Sequence, residues 1–181
     1  AATLARNRAR RGAHEALVER VAREMTRAGR IAWRGLALRA PVADGETTRW
    51  VMAMPDVFSI RHTTLEDRVE PVAHEIKVSR ADLLSDLRQP HKREAYRALS
   101  SQCWYVLKQG IADAEEIPME FGVMVAHENG SLDVARPAPQ RALRLPLATW
   151  MALARADAEP SEDGEAQGWL GDASAPPRED E

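Results

Sequence analysis

The stretch from Pro71 to Ser79 restricts the fold of this chain more than any other. Val72, His74, Ile76 and Val78 alternate there with Ala73, Glu75, Lys77 and Ser79. A β-strand sends successive side chains to opposite faces, so Glu75 and Lys77 share one face. Val72, Ile76 and Val78, all β-branched, share the other and can pack on a core. An acid and an amine inside an apolar strand are costly unless they pair or hold an ion. The stretch therefore predicts a strand with one apolar face and one charged face that needs a partner.

A second strand is predicted just upstream. Asp56-Val57-Phe58-Ser59-Ile60 favours extended backbone, and Pro55 suits the first residue of a strand. Thr63 to Glu70 is polar and fits the connection, although it lacks an Asn-Gly or Asp-Gly turn. Antiparallel pairing would bring Asp56 near Glu75, with the register left open. On the residues alone, the arrangement serves either a metal site or a buried ion pair of Lys77 with Glu75 or Asp56.

Pro55-Asp56, then residues 57 to 74, then Glu75-Ile76-Lys77 resembles the signature of the PD-(D/E)XK, or restriction-endonuclease-like, nuclease superfamily. The order of helix, strands, motif hairpin, helix and strand over residues 13 to 108 is similar too. The resemblance implies an α/β fold, a mixed central sheet flanked by helices. It implies Asp56 and Glu75 as ligands of Mg2+, with Mn2+ able to substitute, the Ile76 carbonyl as a further ligand, and Lys77 as the catalytic cation. That chemistry suits the residue types. Hard cations take oxygen ligands, and Mg2+ commonly takes one or two carboxylates, with water and substrate phosphate completing its shell. The resemblance further implies a hydrolase cutting phosphodiesters, DNA rather than RNA, with a role in DNA repair, and it allows a homodimer. The alternative is a nucleic-acid-binding or assembly module on the same fold that no longer cuts.

Relatives often add an acid from the first helix, which is predicted from Gly12 to Ala28 on the spacing of Leu17, Val21, Met25 and Ala28, with Gly29 as its stop. Glu15, Glu19 and Glu24 are the candidates, and Glu15 is chosen as nearest the end that approaches such a site. His14 falls on the apolar stripe and reads as a packed residue. Downstream, Ser79 with Asp82 reads as a helix cap. Pro90 then kinks or restarts the helix. Lys92 and Tyr96 keep the spacing of a Gln and Tyr found in relatives that process DNA ends, with Lys in place of Gln. Arg49, Lys92 and Arg93 are the candidate contacts to nucleic acid.

The remaining elements are simpler. Ile31 to Arg39 predicts a strand, and Asp44-Gly45 a hairpin turn leading back through Arg49-Trp50-Val51-Met52. Cys103 to Leu107 predicts a buried central strand beside the motif strand. Phe121 to Ala126 and Ser131 to Ala135 predict a second hairpin about Asn129-Gly130, and Leu145 to Ala154 a short helix. Three regions result: a loose basic arm over 1–11, the nuclease-like domain over 12–155, and an acidic, disordered tail over 156–181.

The overall charge of −3 hides an uneven distribution. Residues 157–181 hold nine acids and one Arg, and without them 24 basic residues face 19 acidic ones. A basic body is what a polyanion-binding protein needs, although 22 arginines against 3 lysines also reflect codon bias in a GC-rich genome. The single cysteine, Cys103, excludes an internal disulfide and points to a reducing compartment and a core thiol. With neither a membrane-length apolar run nor a signal-peptide core, a cytoplasmic protein is expected.

Overall fold

Two clusters of apolar side chains, one on each side of a six-stranded sheet, hold the molecule together. The structure, a computed structural model, describes residues 2–161. Its elements run α1 (Ala2–Arg27), β1 (Arg30–Arg34), β2 (Leu38–Asp44), β3 (Thr47–Ala53), β4 (Val57–Arg61) and β5 (Val72–Lys77). Then follow α2 (Arg80–Leu87), α3 (Pro90–Leu99), β6 (Gln102–Lys108), β7 (Gly122–Ala126), β8 (Leu132–Arg136) and α4 (Leu147–Arg155). The sheet order is β1-β4-β5-β6-β7-β8, and β2 with β3 forms a separate two-stranded ribbon. The protein is thus mixed α/β. β5, β6 and β7 run parallel, and every other pairing in the sheet is antiparallel.

The alternation read in the sequence decides how β5 sits. Every residue of β5 is buried, so both faces are covered. Ile76 packs with Val57, Val106 and Ala126 under Leu17, Val18, Val21 and Ala22 of α1. Ala73 joins Phe58, Tyr105 and Leu107 beneath Leu83, Tyr96 and Leu99 from α2 and α3. Glu75 and Lys77 point the same way as Ala73, so the charged pair lies under α2 and α3.

Several boundaries differ from the sequence reading for clear reasons. The helix does not start at Gly12: α1 covers the basic arm as well, and residues 2–13 are exposed apart from the half-buried Asn7. The strand expected over Ile31 to Arg39 is broken by Gly35, whose φ of 58° only glycine adopts readily. The Gly35 N–H donates to the Asp56 carbonyl at 3.0 Å, and β2 then leaves the main sheet to pack over α3. Of the two alternatives at Pro90, kink or restart, the structure has the restart, with Pro90 as the first residue of α3. The acidic segment is placed as far as residue 161, with the Glu159 N–H bonded to the Ala32 carbonyl at 2.7 Å. The expectation for the rest of it lies outside the described residues.

Other expectations hold. Ser79 caps α2 by accepting from the Asp82 N–H. Asp44-Gly45 turns β2 into β3, Asn129-Gly130 lies between β7 and β8, and Cys103 is buried. Among the described residues no helix is long and apolar enough to cross a membrane.

Candidate active site

Asp56 sits immediately before β4, and Lys77 is the last residue of β5. The antiparallel register sets Val57 opposite His74, which brings these two strand ends together. Asp56 Oδ2 accepts the Ile76 N–H at 2.8 Å, so strand pairing itself tethers this carboxylate beside Glu75. Asp56, Glu75, Ile76 and Lys77 line one solvent-open pocket with His14, Asp82, Ser85, Asp86, Gln89 and Lys92. The side chain of Ile76 is buried under α1, so its main chain is what meets the pocket.

Glu75 is the most heavily partnered group. Its Oε1 accepts from Lys77 Nζ at 2.8 Å and from Lys92 Nζ at 2.6 Å, and its Oε2 accepts from the Tyr96 hydroxyl at 2.9 Å. Lys92 and Tyr96, four residues apart on one face of α3, therefore converge on the same carboxylate. Tyr96 also reaches the Met54 carbonyl at 2.9 Å, linking α3 to the segment that carries Asp56.

The sequence reading missed Asp86. It lies on α2, only 4 % exposed, and accepts from Lys92 Nζ at 2.6 Å and from the Tyr105 hydroxyl at 2.5 Å, with Lys77 Nζ at 3.5 Å. A signal was available: Asp86 follows Leu83 by three residues and so falls on the buried side of its helix.

The electrostatics divide the three acids. Burial, and then the nearby charge of Glu75, hold the Asp56 carboxyl above its ordinary value despite the Ile76 N–H. Burial acts the same way on Asp86, but the bonds from Lys92 and Tyr105 and the charge of Lys77 outweigh it and bring that carboxyl below the usual value. Burial opposes charge on Lys92, and Glu75 and Asp86 more than offset it, so its pKa is raised. Burial followed by the adjacent carboxylates drives Tyr96 and Tyr105 strongly upward, which leaves both as protonated donors. Three inner acids face two ammonium groups. The remaining acid is Asp56, and His14 stands beside it, with Nε2 3.4 Å from Oδ1.

That arrangement fits a hard divalent cation at Asp56. One of its oxygens is fixed by Ile76, the other faces the pocket, and a second acid is close enough to repel it. Among the described residues no three His, Cys, Asp or Glu side chains form a ready cage. Mg2+ does not need one, because water and phosphate complete its shell.

The structure places four of the expected residues as follows. On α1 it is His14 that lines the pocket, whereas the Glu15 side chain is 75 % exposed and lines the neighbouring cleft with Arg34 and Glu159. Lys92 lines the pocket with its ammonium shared by Glu75 and Asp86. Arg93 is used in closing the end of α2, where it donates to the carbonyls of Asp86 at 3.3 Å and Leu87 at 2.9 Å. Arg49 lies on the β2–β3 ribbon, outside the pocket lining, 3.8 Å from Asp44.

No protein-family model and no curated protein matches this chain. A solved structure is similar in fold: the SPO1766 protein of unknown function from Silicibacter pomeroyi, 19 % identical, with a TM-score of 0.50 over 84 % of this chain and 86 % of that one. At that identity the likeness concerns the fold alone.

Proposed function

We propose that this chain is a metal-dependent nuclease of the restriction-endonuclease-like class, hydrolysing phosphodiester bonds in DNA. The observation that carries the reading is the meeting of Asp56, Glu75 and Lys77 in one open pocket at the paired ends of β4 and β5. Asp56, Glu75 and the Ile76 carbonyl are the groups that would hold Mg2+ or Mn2+. When bound, such an ion polarises the scissile phosphate and lowers the pKa of its water. Lys77, oriented by Glu75 and Asp86, donates towards the attacking water and the charge that develops on phosphate. Asp86 and Tyr96 keep Lys92 and Glu75 from swinging freely. His14 stands beside Asp56 in the lining of the pocket.

A second reading has an observation in its favour. Both oxygens of Glu75 already accept bonds from Lys77, Lys92 and Tyr96, which suits a nucleic-acid-binding or assembly module that does not cut. Cleavage of plasmid and oligonucleotide DNA with Mg2+ or Mn2+ separates the two. The nuclease reading expects cutting by the wild type and none by Asp56→Ala or Lys77→Ala, with all three proteins folded by circular dichroism. Equal cutting by the variants overturns it, and binding without cutting favours the module.

A further inference from the structure

The acids of the pocket pose a problem for any phosphodiester substrate. A polyanion approaching Asp56, Glu75, Asp82 and Asp86 is repelled unless positive charge lies along its path. The basic residues first expected to provide that charge do not: Lys92 and Arg93 are bound within the fold and Arg49 lies outside the pocket lining. The first half of α1 lies at the pocket instead. Residues 2–13 contain four arginines (Arg6, Arg8, Arg10 and Arg11) and no acid. They form three exposed helical turns that bury almost nothing against the body.

This surface joins the pocket directly. His14 lines the pocket, and one turn earlier Arg10 Nη1 lies 3.5 Å from Oδ1 of Asp82 on its rim. At about 100° per residue, Arg10 and Arg6 lie roughly 40° and 80° from His14 to the same side, so the three form one stripe at i, i+4 and i+8. Arg11 lies about 60° to the other side and Arg8 about 120°, which puts Arg8 about 160° from both Arg6 and Arg10. From His14 to Arg6 the helix advances ~12 Å. One nucleic-acid strand presents a charge per ~3.4 Å of axis, so that length faces several phosphates.

We infer that the exposed first half of α1 is the docking rail for the nucleic-acid backbone, with Arg6 and Arg10 seating phosphates and leading the strand to His14 and Asp56. The occupant is identified by charge complementarity: a row of arginines with no acid among them, ending beside an acidic pocket. The inference rests on the nucleic-acid reading given above and specifies how that substrate reaches the pocket.

Fluorescence anisotropy of a fluorescein-labelled DNA duplex, and of its single strand, tests this with the full chain in EDTA, where no metal-dependent cutting occurs. Arg6→Gln/Arg10→Gln is expected to weaken binding about tenfold and to flatten the slope of log K against log salt by roughly 1.5, as for two lost phosphate contacts. Arg8→Gln should leave both unchanged. These side chains are exposed, so circular dichroism should report a folded double variant. Unchanged affinity and slope in the double variant, while the wild type binds and cuts, overturn the rail but leave the nuclease reading standing. Equal losses from Arg8→Gln also overturn it, because the effect would then be bulk charge. A wild type that binds neither probe in EDTA overturns the rail, and one that also fails to cut with Mg2+ or Mn2+ overturns both readings, as does selective binding of anionic vesicles.

Discussion

His74 and Glu75 are neighbours on β5 and both are buried, yet the two faces of the strand treat them in opposite ways. On the Glu75 face, burial is matched by partners: two ammonium groups and a phenol surround the carboxylate, and Asp86 completes the network. On the other face, neither ring nitrogen of His74 has a hydrogen-bond partner. Its ring lies nearly parallel to Trp104, with centroids 6.4 Å apart. Burial, reinforced by Arg30, pushes it down to about 3, so it stays neutral. Burial without partners thus holds His74 neutral, whereas Glu75 is buried among donors that occupy both of its oxygens.

The sharpest way to break this contrast is at the pocket. On the nuclease reading proposed above, Asp56→Ala should lower DNA cleavage by about 10³-fold or more, since it would remove a metal ligand and the charge that receives the ion. His74→Leu should leave cleavage within about twofold of wild type, and parity between the two variants in a steady-state assay would erase the distinction. Next in size is Asp86→Ala, which strips the Tyr105 hydroxyl and two ammonium groups of a shared acceptor. It should cost roughly 3–5 kcal/mol in urea denaturation, as expected for one partner taken from a buried charge network.

The pH dependence is smaller and has a definite sign. The unfolded chain protonates His74 near its ordinary value of 6.5, whereas the folded chain resists until about 3. The unfolded state therefore binds the extra proton, and stability is lost as pH falls through that window, by up to about 1.4 kcal/mol per pH unit. Denaturation at about pH 6 and pH 5 samples that window, and His74→Leu should flatten the slope there. The smallest effect is at neutral pH, where His74→Leu should be neutral or stabilising by about 1 kcal/mol, because it removes polar atoms that are buried without partners.

Much of this contrast was written in the sequence, and the rest was hidden for physical reasons. Alternation over Val72 to Val78 identified the strand and grouped Glu75 with Lys77, because a period of two is unambiguous when charges interrupt an apolar run. The parallel neighbour β6 and the cap at Ser79 were legible for similar local reasons. Asp86 was not, since an acid in a short helix reads as surface until its partners from β5, α3 and β6 are known. Glu15 and His14 are adjacent, and only the position of Asp56 decides which of them turns towards the site. The helical state of residues 2–11 was equally hidden, because those turns have no apolar stripe to announce them. The departure of β2 from the main sheet depends on Gly35, one residue among many capable of a turn.

The bond from the Ile76 amide to Asp56 has a consequence for how the site can fail. The acid is oriented by the neighbouring strand, so opening of that seam would misplace the aspartate before the domain as a whole came apart. On the proposed function, catalytic competence would then report on one local zipper rather than on global folding. In mild denaturant, activity should fade in step with exchange of the Ile76 amide proton, ahead of the main unfolding transition.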